Sequence, residues 1–235
     1  MVQLTPNKPY LTLRIKFKKV GTLQYISHLD LVRTMNKIIV RAKLPLWYTA
    51  GFNPKPKMIF AAPLSIGTES ICEFMDVRLI DDISPELAME RLNANMTDEM
   101  QVLDAYYTEE KLTDLKWLQY DISIKTNGAS TELAENCGEY LLGESVIVEK
   151  KTKPGEPTKT TDIRPQIKTA ECNYADGWIN IKTVLSADAS SFLNPEYVVS
   201  ALKKQLGILS DPDLTQEYYT ITRVNAYKAD MSEFK

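Results

Sequence analysis

The predicted elements occur in the same order twice along the chain, and this repetition is the strongest limit on how it can fold. Each half is predicted as strand, helix, strand, strand, helix, strand. The helix start at Ser84-Pro85-Glu86-Leu87, with proline at the first helical position, is matched 110 residues later by Asn194-Pro195-Glu196-Tyr197. This order is typical of the ferredoxin-like βαββαβ unit, an antiparallel sheet with both helices on one face. We therefore expect an α+β fold of two tandem ferredoxin-like halves, residues 9–110 and 116–229.

Alternation and helix caps locate the elements of the first half. In residues 10–20, apolar side chains alternate with basic ones, which predicts a half-buried strand with a basic outer face. Ser27, three residues before Asp30, is typical of a capping box and predicts a helix that runs to about Lys43. The apolar face predicted for this helix consists of Leu29, Val32, Asn36, Ile39 and Ala42. The other predicted elements are strands at 46–49, 58–61, 74–79 and 100–107 and a helix from Ser84 to about Asn95.

The second half repeats these signals. An alternating strand is predicted at 118–126, and Ser130-Thr131-Glu132 opens a helix. Residues 151–164 are rich in Lys, Thr, Pro and Gly and predict a loop. Two strands between residues 166 and 185 are expected to form a hairpin that turns at Ala175-Asp176-Gly177. The other predicted elements are a strand at 146–150, a helix opening at Asn194 and a strand at 218–227.

The sequence carries no signal for export, membrane insertion or a bound cofactor. Its first residues lack the apolar core of a signal peptide, and no stretch approaches the roughly 18 apolar residues that a membrane helix needs. Cys72, Cys137 and Cys172 are too far apart for a disulfide framework or for a zinc or iron–sulfur motif. Walker, GxGxxG and GxSxG motifs are absent as well. We expect a cytoplasmic protein that holds no metal or cofactor of its own.

Positive charge is concentrated at the start of the chain. Residues 1–60 carry eleven Lys and Arg residues against one acid, Asp30, although the whole chain has a formal net charge of −3. A surface with this charge attracts a polyanion, whereas the acidic remainder keeps the protein in solution. Residues 81–115 hold ten acids against Arg91 and Lys111, so they could instead neutralise the basic residues within the fold. The sequence leaves both interpretations open.

Three elements of this basic region supply candidates for RNA binding. The candidates are Arg14, Lys16 and Lys18 of the strand, Arg33, Lys37 and Arg41 of the helix, and Phe52, Lys55 and Lys57 of the loop at 51–57. The helical residues follow one another at a spacing of four, which places them in one stripe along the helix. In the loop, an aromatic ring could stack on a base while the lysines contact phosphates. The alternative is a solvated helix face and a loop whose Phe52 fills the core.

His28 is the only histidine, and it is predicted to lie in the first turn of the first helix. A helix N-terminus favours the neutral imidazole, which could act as a general base or acid on an RNA 2′-hydroxyl. The alternative is a structural histidine that is hydrogen-bonded within the turn. A lone histidine also argues against a histidine-rich metal site.

Several short motifs together resemble the uncharacterised radical-SAM-linked family of bacterial proteins. They are RIKFKKVG at 14–21, YISHLDLVR at 25–33, LPL at 44–46, GFNPKPK at 51–57 and APLSIG at 62–67, with DIRP at 162–165 and RVNAY at 223–227. Members of that family occur beside, or fused behind, a radical SAM enzyme. The resemblance implies a partner enzyme that holds an iron–sulfur cluster and performs the radical chemistry. The loop departs from the family pattern at Lys55, where a histidine is usual, which puts a shared two-histidine site in doubt.

These observations lead to three hypotheses. The first is a non-catalytic RNA-binding or substrate-presenting partner of a radical SAM enzyme that modifies or processes rRNA or tRNA. The second is a metal-independent endoribonuclease that uses His28, and the architecture has a weaker similarity to the CRISPR-repeat-processing endoribonucleases. The third is a protein–protein adaptor whose basic patch docks on an acidic surface.

Overall fold

The contact pattern divides the chain into two compact units, Met1–Asp114 and Leu115–Lys235. A computed structural model describes residues 9–150, 158–213 and 215–235. Each unit combines two helices with antiparallel strands, so the chain is a mixed α+β protein, as predicted. Among the described residues, none of the helices has the length and apolar content to cross a bilayer.

Over residues 9–114, the first unit consists of a four-stranded antiparallel sheet and two α-helices. Its elements are β1 (Leu11–Lys19), α1 (His28–Arg41), β2 (Met58–Phe60), β3 (Thr68–Leu79), α2 (Pro85–Asn93) and β4 (Val102–Tyr107), with short 3₁₀ turns at Gly21–Tyr25 and Leu112–Asp114. The strands lie in the order β4-β1-β3, and β2 pairs with the other edge of β3. β1 therefore lies between β3 and β4, and its basic residues belong to a central strand.

The core of the first unit lies between the helices and one face of this sheet. Leu13, Ile15 and Phe17 of β1 are fully buried, as the alternation predicted. Ile15 is paired with Met75 on one side and with Ala105 on the other, so all three side chains point to the same face. Buried residues of α1 and α2 complete this core; they are Leu31, Met35, Ile38, Ile39, Ala88 and Leu92.

Some predicted features of the first unit were wrong. The apolar face of α1 was predicted only in part. Ile39 and Ala42 are buried as expected, whereas Leu29 is 56% exposed and its place in the core is taken by Leu31, Met35 and Ile38. α1 ends at Arg41, and Lys43 takes a positive φ of 53°. Residues 46–49 make isolated bridges and no strand, and β3 begins six residues earlier than expected, at Thr68.

The second unit has the same kinds of element. They are β5 (Trp117–Lys125), α3 (Thr131–Leu142), β6 (Ile147–Lys150), β7 (Lys159–Asp162), β8 (Ile167–Ala175), β9 (Trp178–Ser186), α4 (Glu196–Leu206) and β10 (Tyr218–Tyr227), with a 3₁₀ turn at Arg164–Gln166. The main sheet has the order β10-β5-β9-β8, and β6 pairs with β7 in a small separate ribbon. Among the residues described in this unit, every strand pairing is antiparallel.

The sequence predictions for the second unit can be compared with its turn, its loop and the start of α3. The β8–β9 hairpin turns where predicted, with Asp176 and Gly177 at φ values of 52° and 84°, the left-handed conformations of a tight hairpin turn. The loop predicted at 151–164 was only partly right, because Lys159–Asp162 form β7; residues 151–157 lie outside the described chain. α3 opens at Ser130-Thr131-Glu132 as predicted, and Ser130 caps it by accepting a hydrogen bond from the Leu133 amide at 3.1 Å.

Candidate functional site

The first helix presents its basic residues along its solvent-facing side. Ser27 caps α1 by accepting a hydrogen bond from the Asp30 amide at 3.1 Å, as the capping-box pattern predicted. The Ser27 hydroxyl also donates to Asp30 Oδ2 at 2.7 Å, and this hydrogen bond lowers the pKa of that carboxyl. Because the opposite side of the helix is packed into the core, Arg33, Lys37 and Arg41 all lie exposed.

A pinned hairpin lies beside this helix. The Trp47 amide donates to the Arg78 carbonyl of β3 at 2.9 Å, which ties the base of the hairpin to the sheet. Across the hairpin, the Thr49 amide donates to the Lys55 carbonyl at 3.0 Å, and the Lys57 amide donates to the Trp47 carbonyl at 3.1 Å. The backbone of residues 47–57 is therefore fixed at its base, and residues 50–54 form its tip.

The helix and the hairpin line a shallow, open groove that we call the α1 groove. Its volume is about 490 Å³, and it is lined by Arg33, Asn36, Lys37, Val40, Arg41, Lys55 and Pro56. This volume falls within the range of small-ligand pockets, roughly 300–1,000 Å³. Four cationic side chains share the lining with Val40 and Pro56, which add apolar surface. The structure thus brings together four of the nine residues predicted to bind RNA.

The cations of the α1 groove are not neutralised by the acidic stretch at 81–115. Within the described ranges, Lys37, Arg41 and Lys55 form no ion pair with a carboxylate. Arg33 contacts Asp30 at 3.3 Å, and both side chains are largely exposed, so this pair contributes little and is screened by salt. Glu99 of the acidic stretch instead accepts from the Thr22 hydroxyl at 2.6 Å.

Phe52 lies at the tip of the hairpin with its ring fully exposed to solvent. The alternative, that Phe52 fills the core, was wrong; Trp47 is the aromatic residue buried at the base of the same hairpin. Lys57 is half-buried near that base and does not line the α1 groove. The tip therefore offers an aromatic surface three residues away from Lys55.

The basic outer face predicted for β1 was wrong at Arg14. Its side chain is fully buried, and Nε donates to Asp76 Oδ1 at 2.8 Å. Lys16 and Lys18 are half-buried on the same strand, and Lys16 Nζ lies 5.9 Å from the centre of the Phe74 ring. None of these three residues lines the α1 groove. The alternation predicted that these three side chains lie on the face of the sheet opposite to Leu13, Ile15 and Phe17. On this central strand, that face is only partly exposed to solvent.

Another basic residue of the first sixty is also internal. Lys19 is 2% exposed, and its Nζ donates to the carbonyl oxygens of Leu23 at 3.2 Å and Gln24 at 3.3 Å. Lys8 lies outside the described residues. The accessible positive charge is therefore smaller than the composition of residues 1–60 suggests, and it is concentrated at the α1 groove.

His28 is the first residue of α1 and is exposed. Its ring stands edge-on to Phe60, with a centroid distance of 5.5 Å. In the part of the chain that the structure describes, no hydrogen bond joins His28 to a carboxylate or to a second titratable side chain. Over the same residues, no group of three or more His, Cys, Asp or Glu side chains could hold a metal ion.

Asn36, Val40 and Pro56 of the α1 groove were missed as site residues by the sequence analysis. Asn36 was assigned to the apolar face of the helix, and its side chain instead donates to the Val32 carbonyl at 3.1 Å from a half-buried position. A one-residue error in the helical phase accounts for this. The stripe of Arg33, Lys37 and Arg41 indicates the correct phase of the helix, because a stripe of charged residues marks the side opposite the core.

Comparison with known proteins gives a family and a fold. A family model described as an uncharacterised protein conserved in bacteria, DUF2344, matches residues 12–195. Among solved structures, a chain of the Cbf5–Nop10–Gar1 complex superimposes with a TM-score of 0.53 at 10% identity, over 97% of this chain and 56% of that chain. An unknown protein from Galdieria sulphuraria matches with a TM-score of 0.27 at 10% identity, over 92% of this chain and 99% of that chain. Curated protein sequences contain no match.

Proposed function

This chain belongs to the DUF2344 family of uncharacterised proteins conserved in bacteria, and we propose that it binds RNA without catalysis of its own and presents it to a radical SAM enzyme. Such a module acts in the modification or processing of rRNA or tRNA. The radical SAM partner is proposed because the motifs at 14–67 resemble those of the radical-SAM-linked family. The partner supplies the iron–sulfur cluster, for which this chain has no cysteine motif. We place this activity in the cytoplasm.

The observation that carries this proposal is the α1 groove. Arg33, Lys37 and Arg41 from α1 and Lys55 from the hairpin line this one open groove of about 490 Å³. Like charges on one helix face destabilise an isolated helix by a few tenths of a kcal/mol per pair, so the stripe has no benefit for folding. A polyanion offsets this repulsion and releases condensed counterions when it binds.

The exposed ring of Phe52 favours RNA over a compact anion as the ligand of this site. An exposed aromatic ring on a pinned hairpin can stack on an unpaired base, because every base has an aromatic face. Phosphates would then lie along the lysines and arginines of the groove. Lys16, Lys18 and Lys57 are half-buried, and their place in this interface is a weaker part of the proposal.

The finer description of the fold supports the same function. We interpret residues 9–110 and 116–229 as two ferredoxin-like halves, because the strand orders β4-β1-β3-β2 and β10-β5-β9-β8 both match that topology. Antiparallel sheets of this type recur as RNA-binding surfaces. The similarity to a chain of the Cbf5–Nop10–Gar1 complex concerns the fold alone.

The two other hypotheses are less well supported. An endoribonuclease needs a general acid and a general base close to the reacting 2′-hydroxyl, and the described contacts of His28 are with the Phe60 ring. A protein–protein adaptor would use the α1 groove for an acidic surface. The apolar surface of Val40 and Pro56 and the exposed Phe52 ring suit a nucleobase better than a row of carboxylates.

The direct test is the binding of RNA by charge-reversal variants of the groove. We expect Lys37→Glu/Arg41→Glu to weaken the binding of a fluorescein-labelled RNA at least tenfold, measured by fluorescence anisotropy. The matched control is Lys111→Glu/Lys203→Glu, which reverses two exposed lysines outside the groove and should change the affinity less than threefold. Equal affinity of the groove variant and the parent protein would contradict the proposal.

Co-purification separates the RNA-binding hypothesis from the adaptor hypothesis. If the chain presents RNA, a tagged protein should lose most of the co-purifying radical SAM enzyme or RNA-linked complex after ribonuclease treatment. Capture through the basic groove that persists unchanged after ribonuclease, and disappears in Lys37→Glu/Arg41→Glu, would favour the adaptor instead.

A further inference from the structure

We infer that the open face of the main sheet of the second unit is an additional binding surface for single-stranded RNA, which it holds by stacking on Trp178 and Tyr218. This inference rests on the proposed RNA-binding function and extends it to a second place on the chain. None of the candidate residues recognised in the sequence lies on this face.

The register of the sheet places a defined set of side chains on this face. Tyr218 of β10 is paired with Lys125 of β5, and Thr220 is paired with Ser123. Ser123 is in turn paired with Asn180 of β9, and Asn173 of β8 is paired with Asn180. Paired residues of neighbouring strands point to the same face, and so do residues two apart on one strand. The face therefore carries two adjacent rows, an aromatic row and a row of neutral hydrogen-bonding groups.

The opposite face of the same sheet is the one that the helices cover. Ile122, Ile124, Ile179 and Ile181 alternate with the residues of the two rows and are all buried. α3 packs against β8 and β9. Lys125, Tyr218, Thr220 and Asn173 are all exposed, so among the described residues of this unit nothing covers the aromatic row.

The aromatic row combines two rings with a lysine. The Trp178 and Tyr218 rings meet edge to face, with centroids 5.2 Å apart and an interplanar angle of 87°. Lys125 Nζ lies 5.6 Å from the centre of the Tyr218 ring. Aromatic side chains on an open four-stranded sheet stack on the bases of single-stranded RNA, and an adjacent lysine contacts the phosphate between them.

The second row supplies hydrogen-bonding groups suited to base edges. The Ser123 hydroxyl donates to Asn180 Oδ1 at 2.9 Å, which orients the amide and leaves Asn180 Nδ2 to donate to a ligand. Ser123, Asn180 and Thr220 line a cavity of about 430 Å³ together with Ala175, Asp176 and Trp178. The Asp176 carboxylate at the hairpin turn can accept from a base amino group.

A third row limits the size of the site. Lys182 is paired with Asp121 on one side and with Glu171 on the other, and all three residues are exposed. Two carboxylates flank one lysine, so this row repels phosphates. It lies about 7 Å beyond the neutral row, because residues two apart on a strand are separated by about that distance. Aromatic side chains on a four-stranded sheet stack on about two or three bases, so we expect the surface to hold roughly that number of unpaired nucleotides. A duplex, whose base faces are hidden, does not meet the aromatic row.

The test compares single-stranded and duplex RNA on matched aromatic variants. The probes are a fluorescein-labelled single strand of about 12 nucleotides and the duplex that it forms with its complement, followed by anisotropy. We expect Trp178→Ala and Tyr218→Ala each to weaken binding of the single strand by about 5- to 100-fold, with duplex binding changed less than about twofold. Tyr174→Ala is the control, because Tyr174 is paired with buried Ile179, points to the other face and is 39% exposed; it should bind as the parent does.

A second variant covers the case in which loss of Trp178 disturbs folding. Asn180→Ala removes only the amide from a half-exposed position and should weaken binding of the single strand by about 2- to 10-fold. If Tyr218→Ala and Asn180→Ala are folded by circular dichroism and bind the single strand as tightly as the parent, the inference is overturned. In that case the proposed function stands if Lys37→Glu/Arg41→Glu still weakens binding. If the parent protein binds neither probe, the proposed function and this inference are both wrong.

Discussion

Arg14 and Asp76 form a buried two-point ion pair in the middle of the first unit. Arg14 Nε donates to Asp76 Oδ1 at 2.8 Å, and Nη2 donates to Oδ2 at 3.0 Å. The same Nη2 group donates to the Glu110 carbonyl at 2.7 Å. The two residues are cross-strand partners on β1 and β3, so the sheet itself holds the guanidinium and the carboxylate in this geometry. This pair explains why a residue of a basic strand does not contribute to the basic surface.

Removal of the carboxylate should destabilise the first unit strongly. Asp76→Ala leaves the Arg14 guanidinium buried without the carboxylate that balances its charge, and loss of one member of a buried ion pair costs about 3–5 kcal/mol. Urea denaturation followed by circular dichroism measures this change. Asp104→Ala, which removes an exposed carboxylate from the neighbouring strand β4, is the control and should cost less than about 0.5 kcal/mol. A loss below about 1 kcal/mol for Asp76→Ala would show that the pair contributes little to stability.

Phe52→Ala should separate binding from folding. The ring is fully exposed, so its removal should change the free energy of unfolding by less than about 0.5 kcal/mol. The same change should weaken the binding of single-stranded RNA by about 5- to 100-fold if the ring stacks on a base. Denaturation and anisotropy on one preparation measure both effects. Unchanged RNA affinity would remove Phe52 from the interface.

His28→Ala tests the endoribonuclease hypothesis. Because the described contacts of His28 are limited to the edge of Phe60, we expect the parent protein and the variant to leave RNA intact to the same extent. Incubation of end-labelled RNA with each protein, followed by denaturing electrophoresis, measures cleavage. Cleavage by the parent that is lost in His28→Ala, with RNA affinity retained, would establish the nuclease and contradict a purely binding role.

Alkaline pH should destabilise the second unit through two desolvated thiols, that of buried Cys137 and that of half-buried Cys172. Burial raises the pKa of Cys137 to about 11 and that of Cys172 to about 12, from an ordinary value of 9.0. Below pH 9.0 both the folded and the unfolded chain keep these thiols protonated. Above it the thiols ionise first in the unfolded chain, so the free energy of unfolding falls as the pH rises toward 11.

The thiol contribution is isolated by a double variant. Burial also raises the pKa of Tyr106 and of Tyr219, and these groups add their own alkaline destabilisation. Cys137→Ala/Cys172→Ala should therefore show a weaker loss of stability between about pH 8 and pH 10.5 than the parent under reducing conditions. The measurement is the urea midpoint at each pH. Parallel pH profiles for the two proteins would mean that the thiols do not contribute.

Helix caps and tight turns were predicted correctly, because they depend on interactions between residues that are close in sequence. Ser27 and Ser84 cap the helices that they were expected to cap, and the turn at Asp176 and Gly177 lies where the hairpin was predicted. Caps and tight turns depend on the backbone groups of the next few residues, so neighbouring residues are enough to recognise them.

The errors arose where distant contacts decide the outcome. Alternation in β1 correctly separates Phe17 from Lys16, but it does not reveal that Asp76, 62 residues from Arg14, would draw that side chain into the interior. For the same reason, the sequence analysis identified the basic residues of the candidate groove but not how they come together. The stripe of Arg33, Lys37 and Arg41 is local to one helix, whereas its meeting with Lys55 depends on how the hairpin is tied to β3.

The open sheet face of the second unit was missed although its signal is in the sequence. Trp178 and Asn180 alternate with buried Ile179 and Ile181, which marks two faces of one strand. Only the pairing of β9 with β5, and of β5 with β10, brings Tyr218 next to Trp178. Strand order depends on the whole unit, and no short window of sequence contains it.

The salt dependence of RNA binding tests the central claim most directly. Four cations of the α1 groove should give a slope of log affinity against log salt near −3 for a single strand, which is a loss of roughly 50-fold between about 50 and 200 mM salt. Lys37→Gln/Arg41→Gln should make this slope shallower by about 1.4, whereas Lys111→Gln/Lys203→Gln should leave it unchanged. A flat salt dependence in the parent protein, or the same slope in the groove variant, would contradict the account.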